Sequence, residues 1–178
     1  LIGVYTDLFT ANSSFTTDQI IQALSTRKKE KIRTIPMGVN GDRFKKKNTV
    51  RKGVNKERFV LYVGRLIPLK GVSTLIAAMK QVTDTMEHIT LRIIGDGPEY
   101  EKCQQLVNNF QLEKNIHLLG RIPNQDLCQY YHESDLFVLP SVVRAGQAEG
   151  LGVVLLEAMA AGVPVIGTKT GGIVDIIT

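Results

Sequence analysis

The sequence predicts an α/β fold in which a parallel β-sheet is covered by helices on both faces. After residue 58, apolar runs of four to six residues alternate with longer segments whose apolar residues recur at helical spacing. Each apolar run ends at Gly or at Pro-Ser, where a strand would stop and turn. Wholly apolar strands are typical of parallel sheets, because helices bury such sheets on both sides.

The predicted elements follow one another regularly from residue 59. Strands are predicted at 59–63, 89–94, 116–119, 135–139 and 163–166, and helices at 73–86, 99–110, 125–132 and 152–161. This order indicates a Rossmann-like sheet, which binds ligands at the carboxyl ends of its strands. We therefore expect the site in the loops after the strands, which begin at Gly64, Gly95, Gly120, Pro140 and Gly167.

The first forty residues have a different character. They predict a strand at 9–13, a helix at 14–25, a strand at 31–35 and a turn-rich joint at 36–41. We place a domain boundary at this joint, so that residues 1–40 end one domain and residues 41–178 form another. Because the chain starts at Leu1, in sequence that already resembles the middle of a domain, we expect it to be part of a longer protein.

Composition and charge exclude several classes of protein. The 178 residues are 43% hydrophobic and 22% charged, which is ordinary for a globular domain, and no apolar run is long enough for a membrane-spanning helix. The net charge is +8 over residues 1–58 and −3 over residues 59–178. The basic runs 27–29 and 45–47 are interpreted as solvated loop charge, with contact to an anionic membrane as the alternative. Nucleic acid is not expected as a partner, because no aromatic pattern accompanies the charge.

The most informative motif is EGLGVVLLE, which begins at Glu149. A helix that starts near Gly152 and Val153 leaves its first N–H groups without intrahelical partners, and these groups attract anions such as phosphate. Gly150 and Gly152 carry no side chain, so an anion can approach the backbone closely. Glu157 lies about 6 Å beyond Val153 along the axis, at ~1.5 Å per residue.

Two carboxylates on opposite sides of such a phosphate site suit a particular kind of ligand. Carboxylates accept hydrogen bonds from hydroxyl groups, so a diphosphate with a sugar on each side would satisfy both Glu149 and Glu157. On this interpretation Glu157 is a ligand-binding residue that faces a cleft and water and has no protein partner. The alternative is that Glu157 is bonded to protein groups within the core, since an unpaired buried carboxylate is costly.

A second motif follows the first predicted strand of the main sheet. Arg65 and Lys70 bracket the loop that begins at Gly64. If they converge, they would neutralise a diphosphate and stabilise it as a leaving group. Two basic residues in a loop are otherwise usually solvated.

Taken in order, these motifs resemble the retaining glycosyltransferases of the family 4 type, which have the two-domain GT-B architecture. The resemblance covers residues 32–178 closely and the first 30 loosely, and it rests on Gly64-Arg65, Lys70-Gly71, Ile94-Gly95-Asp96-Gly97-Pro98, Glu149-Gly150-Leu151-Gly152-Val153, Glu157-Ala158, Gly162-Val163-Pro164-Val165 and Gly171-Gly172. It implies that residues 41–178 are a nucleotide-sugar donor-binding domain without its carboxy-terminal end. Residues 1–40 are then the remnant of the amino-terminal acceptor domain together with the joint.

The resemblance also assigns roles to single residues. It implies that Arg65 and Lys70 bind the donor diphosphate and that Glu149 holds hydroxyls of the transferred sugar, and we predict these three as the catalytic residues. The remaining binding residues are the backbone of Gly150, Leu151, Gly152 and Val153 around sugar and phosphate, the Glu157 carboxylate on the ribose hydroxyls, and the backbone of Ile122 at the base.

The implied reaction is transfer of a hexose, with retention, from a nucleotide-diphosphate sugar such as UDP- or GDP-hexose. The implied acceptor is a hydroxyl of a glycan or of a lipid-linked molecule in polysaccharide, lipopolysaccharide or glycolipid synthesis. The resemblance implies no cofactor and no metal ion. It also implies a cytoplasmic location, with peripheral contact at the inner face of the membrane through the missing amino-terminal domain.

The chain departs from the family pattern in three places. It lacks the family's histidine near the reacting sugar and its glycine-rich phosphate loop, it lacks the segment beyond Gly171-Gly172, and it has a loop at 142–148 long enough to alter donor contacts. We therefore do not expect the fragment alone to turn over.

Three other functions are alternatives to the transferase. One is a sugar-nucleotide epimerase or hydrolase of the same architecture, which would need acid and base residues that we do not find, and another is a non-catalytic nucleotide-binding module. A nicotinamide-dependent oxidoreductase predicts G-x-G-x-x-G after the first strand, which the segment from Gly64 does not match.

Overall fold

The computed structural model describes residues 7–24, 29–45 and 57–177. The first two of these ranges hold two short parallel strands, β1 (Phe9–Ala11) and β2 (Ile32–Thr34), with helix α1 (Ser14–Ala23) between them in the chain order. A single helical turn, α2 (Gly41–Phe44), follows the joint. Most of the two basic runs, and the end of the helix predicted at 14–25, lie outside the described residues.

The main part of the chain forms a five-stranded parallel sheet. Its elements in chain order are β3 (Arg58–Val63), α3 (Val72–Thr83), β4 (Ile89–Ile94), α4 (Tyr100–Asn109), β5 (Ile116–Gly120), α5 (Leu127–Glu133), β6 (Leu136–Leu139), α6 (Val153–Ala160) and β7 (Val165–Gly167). The strands lie side by side in the order β5-β4-β3-β6-β7, and every neighbouring pair is parallel. This arrangement confirms the predicted fold class.

The strand order places a topological switch point between β3 and β6. The chain proceeds outward from β3 through β4 to β5, and then returns to β6 on the other side of β3. Because right-handed crossovers that run in opposite directions place their helices on opposite faces, α3 and α4 should lie on one face and α5 and α6 on the other. The observed contacts agree, since α3 packs on α4, whereas α2 packs on both α5 and α6. Ligands of such sheets bind in the crevice at the switch point, so the carboxyl ends of β3 and β6 are where a site is expected.

Most predicted boundaries differ from the observed ones by one to three residues. The last strand was predicted at 163–166 but is Val165–Gly167, because Pro164 has no N–H to donate to the ladder; its carbonyl accepts from Phe137 N at 2.9 Å instead. The helix predicted at 125–132 begins as a 3₁₀ turn, Asn124–Asp126, before α5. The helix predicted at 73–86 ends at Thr83.

The core lies between the sheet and its two helix layers. Its largest fully buried side chains are Tyr62, Tyr131, Phe137, Leu61, Leu66, Ile76, Leu91, Ile93, Ile94, Leu139, Leu155 and Ile173. Two of them are tyrosines, which need partners for their hydroxyl groups when they are buried. In the ranges that the structure describes, no helix has the length and apolar character needed to span a membrane.

Candidate functional site

The loops that follow β3 and β6 are packed directly against each other. The 3₁₀ turn Pro68–Lys70 ends at Gly71, whose φ of 65° favours glycine, and a Cβ on Gly71 would collide with the carbonyl oxygen of Pro140. Val142 N donates to Leu69 O at 2.8 Å. The predicted diphosphate-binding loop is therefore held at the end of β6, at the switch point of the sheet.

The carboxylate of Glu149 is the point where the loop after β3 meets the loop after β6. Lys70 Nζ donates to Glu149 Oε2 in an ion pair, and the hydroxyl of the buried Ser141 donates to the same oxygen at 3.0 Å. The side chains of Lys70 and Glu149 are each only 12% exposed. Two charges this far from water need each other as partners. The structure thus brings together two of the three residues that are predicted as catalytic.

Helix α6 begins beside this ion pair, as the glycine pattern predicted. Gly152 has φ of 91° and is the N-cap, so the helix starts at Val153 rather than at the predicted 152. The N–H of Leu155 donates to Gly152 O at 2.8 Å. The N–H groups of Val153 and Val154, at the first turn, are those that an α-helix leaves without intrahelical partners.

The Glu149-Gly150 segment is held from two sides by backbone contacts. Gly172 N donates to Glu149 O at 2.8 Å, and a Cβ on Gly171 would collide with that same carbonyl oxygen. On the other side, the Ser13 hydroxyl donates to Gly150 O. The backbone around the predicted sugar site is therefore positioned by the glycine pair near the carboxyl end of the chain and by the start of α1.

The start of α1 is also tied to the carboxyl end of the described chain. The hydroxyl of Ser14 donates to Asp175 Oδ1 at 2.7 Å, and its backbone N–H donates to the other oxygen of that carboxylate. A carboxylate at a helix N-terminus satisfies an N–H group and interacts favourably with the helix dipole. Contacts between the first β-α-β unit and the main sheet thus converge next to Gly150.

Glu157 is partly buried and has a protein partner. The hydroxyl of Tyr131, on α5, donates to Glu157 Oε2 at 2.7 Å. Burial first, and then the Glu157 carboxylate, raises the pKa of Tyr131, so this hydroxyl keeps its proton and acts as a donor. The expectation that Glu157 has no protein partner is wrong. Its role as a ligand-binding residue stays a prediction.

Arg65 lies in a separate part of the same sheet edge. It lines a cleft of about 480 Å³ together with Ile122, Arg121 and the Gly95–Gly97 loop. The buried Tyr62 donates from its hydroxyl to Arg65 O at 3.0 Å, and burial raises the pKa of Tyr62, so it remains a donor. Arg65 and Ile122 therefore share one cleft, whereas Lys70 is engaged with Glu149.

Three residues that sequence reasoning did not assign contribute to this edge. Ser141 binds Glu149, Tyr131 binds Glu157, and Arg121 lines the cleft as an exposed second guanidinium beside Arg65. Ser141 and Arg121 lie in loops that follow strands, so their positions in the sequence could have placed them at the site. Tyr131 lies inside a helix, and its position does not indicate a place at the site. Within the described ranges, no group of three or more His, Cys, Asp or Glu could hold a metal ion.

Comparison with known protein families identifies several similar enzymes. A family model described as glycosyl transferases group 1 matches residues 43–178. A GDP-mannose-dependent alpha-(1-6)-phosphatidylinositol monomannoside mannosyltransferase of Mycobacterium tuberculosis is 32% identical over 96% of this chain and 46% of its own length. A putative colanic acid biosynthesis glycosyltransferase, WcaL, of Escherichia coli is 33% identical over 84% of this chain and 36% of its own length. The chain thus spans about half the length of these relatives, or less.

Solved structures give the same result for the fold. The Anabaena protein HepE, solved in complex with UDP and glucose, has a TM-score of 0.82 at 27% identity over 97% of this chain and 47% of that one. Sucrose-phosphate synthase of Thermosynechococcus elongatus has a TM-score of 0.77 at 28% identity over 97% of this chain and 43% of that one. The sheet described above therefore has the Rossmann-like fold of one domain of the GT-B architecture.

Proposed function

The chain belongs to the family of group 1 glycosyl transferases, and from that membership we propose that the full-length protein is a retaining hexosyltransferase of the family 4 type. It binds a nucleotide-diphosphate sugar at the switch point of the sheet and transfers the hexose to an acceptor hydroxyl. The observation that carries this proposal is the meeting of Lys70, Ser141 and Glu149 beside the first turn of α6. Anion-binding N–H groups and a held carboxylate are what a sugar diphosphate requires.

The donor phosphates are placed at the start of α6. The N–H groups of Val153 and Val154 carry partial positive charge there, and Gly152 lets the anion approach. On this proposal, Lys70, which is paired with Glu149, and Arg65, which lines the neighbouring cleft, both bind the diphosphate. The cationic groups stabilise the charge that develops on the diphosphate as it leaves.

The chemistry on this proposal is a front-face substitution. The bond between the anomeric carbon and the phosphate oxygen breaks, and its electron pair leaves with the diphosphate. The acceptor hydroxyl forms the new bond from the same face and gives its proton to the departing phosphate oxygen. Glu149 holds hydroxyls of the sugar that is transferred, with Lys70 and Ser141 keeping its carboxylate in place.

The remaining donor contacts divide between Glu157 and the cleft. Glu157 accepts hydrogen bonds from the ribose hydroxyls, and the backbone of Ile122 contacts the base in the cleft next to Arg121. A relative named as GDP-mannose-dependent and a structural neighbour solved with UDP-glucose support either GDP or UDP as the nucleotide. The reaction requires no metal ion and no cofactor on this proposal.

The acceptor class follows from the relatives named above. A phosphatidylinositol monomannoside mannosyltransferase and a colanic acid biosynthesis glycosyltransferase support a glycolipid or polysaccharide acceptor. The protein acts in the cytoplasm, with peripheral contact at the inner face of the membrane through the part of the protein that precedes this chain.

A donor screen on the full-length protein tests the proposal. UDP-, GDP- and ADP-hexoses are offered with glycan and glycolipid acceptors, and the anomeric linkage of the product is determined from NMR coupling constants. We expect one donor to be used and the product to keep the donor's anomeric configuration. An inverted linkage would show that the retaining assignment is wrong. A folded protein that binds no nucleoside diphosphate at millimolar concentration and transfers no sugar would overturn the function itself.

A further inference from the structure

Tyr131 is a fully buried side chain whose polar end reaches the candidate site. It lies on α5, 26 residues before Glu157 in the chain, and its hydroxyl donates to Glu157 Oε2 at 2.7 Å. In the described part of the chain, Glu157 Oε1 makes no hydrogen bond and no ion pair with protein. One carboxylate oxygen is thus bound to the protein, and the other has no protein partner among the described residues.

The ring of Tyr131 is held by aromatic neighbours on two sides. Phe44 packs edge-on against it with ring centroids 5.6 Å apart, and Phe137 on β6 packs at 5.7 Å. Both of these side chains are themselves buried. Because a packed ring has little rotational freedom, its hydroxyl occupies one place relative to Glu157. The hydrogen bond therefore has a rigid donor.

Phe44 connects this cluster to the short helix α2, which follows the joint. It is the last residue of α2, and its carbonyl oxygen lies 2.7 Å from Nε2 of His132 on α5. The guanidinium of Arg43 stacks over the Phe44 ring at 5.2 Å and donates to Asn124 O. Several contacts thus keep the Phe44 ring against Tyr131.

We propose that Tyr131 is a positioning residue that orients the Glu157 carboxylate toward the ribose hydroxyls of the nucleotide. A carboxylate held through one oxygen presents the other in a defined direction, and the ligand then does not have to order it on binding. This inference rests on the proposed function, since it assumes that Glu157 binds the ribose. It adds a residue that does not itself touch the ligand.

A purely structural role for Tyr131 makes a different prediction. In that case the hydroxyl uses Glu157 only as an acceptor for a buried donor, and its loss would change stability alone. A positioning role instead changes the affinity of those ligands that offer ribose hydroxyls and leaves the others unchanged. The two roles are therefore separated by comparing a nucleotide with its dideoxyribose form.

The experiment is calorimetric titration of the full-length protein and its Tyr131→Phe variant. The probes are whichever of UDP, GDP and ADP the unmodified protein binds, and the dideoxyribose form of that nucleotide. We expect Tyr131→Phe to lower the affinity for the ribonucleotide about ten-fold, the size of one hydrogen bond to a charged group, and to leave the affinity for the dideoxy form unchanged. Tyr130→Phe, the same change one residue earlier, is the matched control and should alter neither affinity.

A second pair of variants keeps the space of the hydroxyl filled. Para-aminophenylalanine at position 131 retains a donor, whereas para-methylphenylalanine does not. We expect the amino form to restore ribose preference and the methyl form to lack it, and this comparison also serves if Tyr131→Phe does not fold. The double variant Tyr131→Phe/Glu157→Ala should bind the nucleotide no more weakly than Glu157→Ala alone, because both substitutions act through the same carboxylate.

The possible results distinguish the inference from the proposed function. Equal losses for the ribose and dideoxy forms, or no loss for either, would overturn the positioning role while leaving nucleotide binding intact. An unmodified protein that binds the nucleotide without distinguishing ribose from dideoxyribose would overturn the inference as well. An unmodified, folded protein that binds none of the three nucleotides would count against the proposed function itself, and the inference would fail with it.

Discussion

Glu157 shows how far a single residue can be interpreted from its neighbours in the sequence. A carboxylate inside an apolar helix needs a partner, and the sequence offered either a ligand or the protein core. The structure provides a protein donor for one oxygen, Tyr131, and leaves the second oxygen without a protein partner among the described residues. The two interpretations are therefore compatible, because each accounts for one oxygen of the same carboxylate.

Substitution of Glu157 should separate its two oxygens. Glu157→Gln keeps an acceptor for Tyr131 but replaces the other oxygen with a donor, so we expect nucleotide binding to weaken by about 1–3 kcal/mol with a stability change below ~1 kcal/mol. Glu157→Ala also leaves the buried hydroxyl of Tyr131 without an acceptor, which should cost a further ~1–3 kcal/mol of stability. Urea unfolding and nucleotide titration measure the two effects on the same samples.

Glu113→Gln provides the control for this pair. Glu113 lies exposed in the turn before β5, at the opposite end of that strand from the cleft, and should change neither quantity. If Glu157→Gln lost stability but kept its nucleotide affinity, Glu157 would be a structural residue and not a ligand-binding one.

The partners of the two glutamates could not be predicted from the sequence. Glu149 and Glu157 were identified from their place around the glycines, but Ser141 and Tyr131 lie 8 and 26 residues away from the carboxylates they bind. These contacts depend on how the loop after β6 folds back on itself and on where α5 lies relative to α6, and spacing along the chain reveals neither. Lys70 and Glu149 are a similar case, since their ion pair joins residues 79 positions apart.

The 3₁₀ turn Pro68–Lys70 can pack against the end of β6 only because the residue that follows it, Gly71, has no side chain. Gly71 and Gly162 have similar positive φ angles, 65° and 72°, so alanine is strained at both, by about 1–2 kcal/mol. A Cβ at Gly71 would in addition collide with the Pro140 carbonyl, whereas a Cβ at Gly162 would have nothing within 4 Å. We expect Gly71→Ala to destabilise the protein more than Gly162→Ala, and to weaken nucleotide binding because it displaces the turn that carries Lys70.

Chemical denaturation and nucleotide titration of Gly71→Ala and Gly162→Ala separate the effect of the steric collision on stability and affinity from the effect of the backbone strain. The strain is common to both, so the difference between them measures the collision at the carboxyl edge. Equal destabilisation, with equal nucleotide affinity, would show that the loop after β6 can move away freely and that the turn need not be packed there.

The elements were predicted more reliably than their ends. Each strand and helix predicted in the main sheet is present, because the apolar runs and their terminal glycines specify where the chain must be buried and where it must turn. The ends moved where local chemistry interfered, as at Pro164, which cannot donate in a ladder. The 3₁₀ turn before α5 has no apolar periodicity that would distinguish it from the first turn of an α-helix.

At the scale of the whole molecule, the parallel sheet followed from the alternation of elements, but the order of its strands did not. The same alternation fits several arrangements, and the switch point is visible only when β6 is seen beside β3. The contact between α1 and the Gly171–Asp175 turn was also not predicted, since the boundary at residue 40 separated these segments. Whether that boundary divides two domains of the full protein stays a prediction.

The two buried tyrosines of the sheet and its helix layer should determine how the molecule unfolds at high pH. Burial raises the pKa of both Tyr62 and Tyr131 above the ordinary tyrosine value. Above about pH 10 the unfolded chain loses these protons while the folded protein keeps them, so stability is fully present below that pH and falls as the pH rises further. For each tyrosine the slope should be about half of 1.4 kcal/mol per pH unit at pH 10 and should approach that full value above pH 11.

In urea unfolding between pH 8 and pH 11, a protein with both Tyr62→Phe and Tyr131→Phe should lose stability less steeply than the unmodified one, and each single variant should fall between them. Parallel pH curves for all four proteins would show that other groups govern alkaline unfolding.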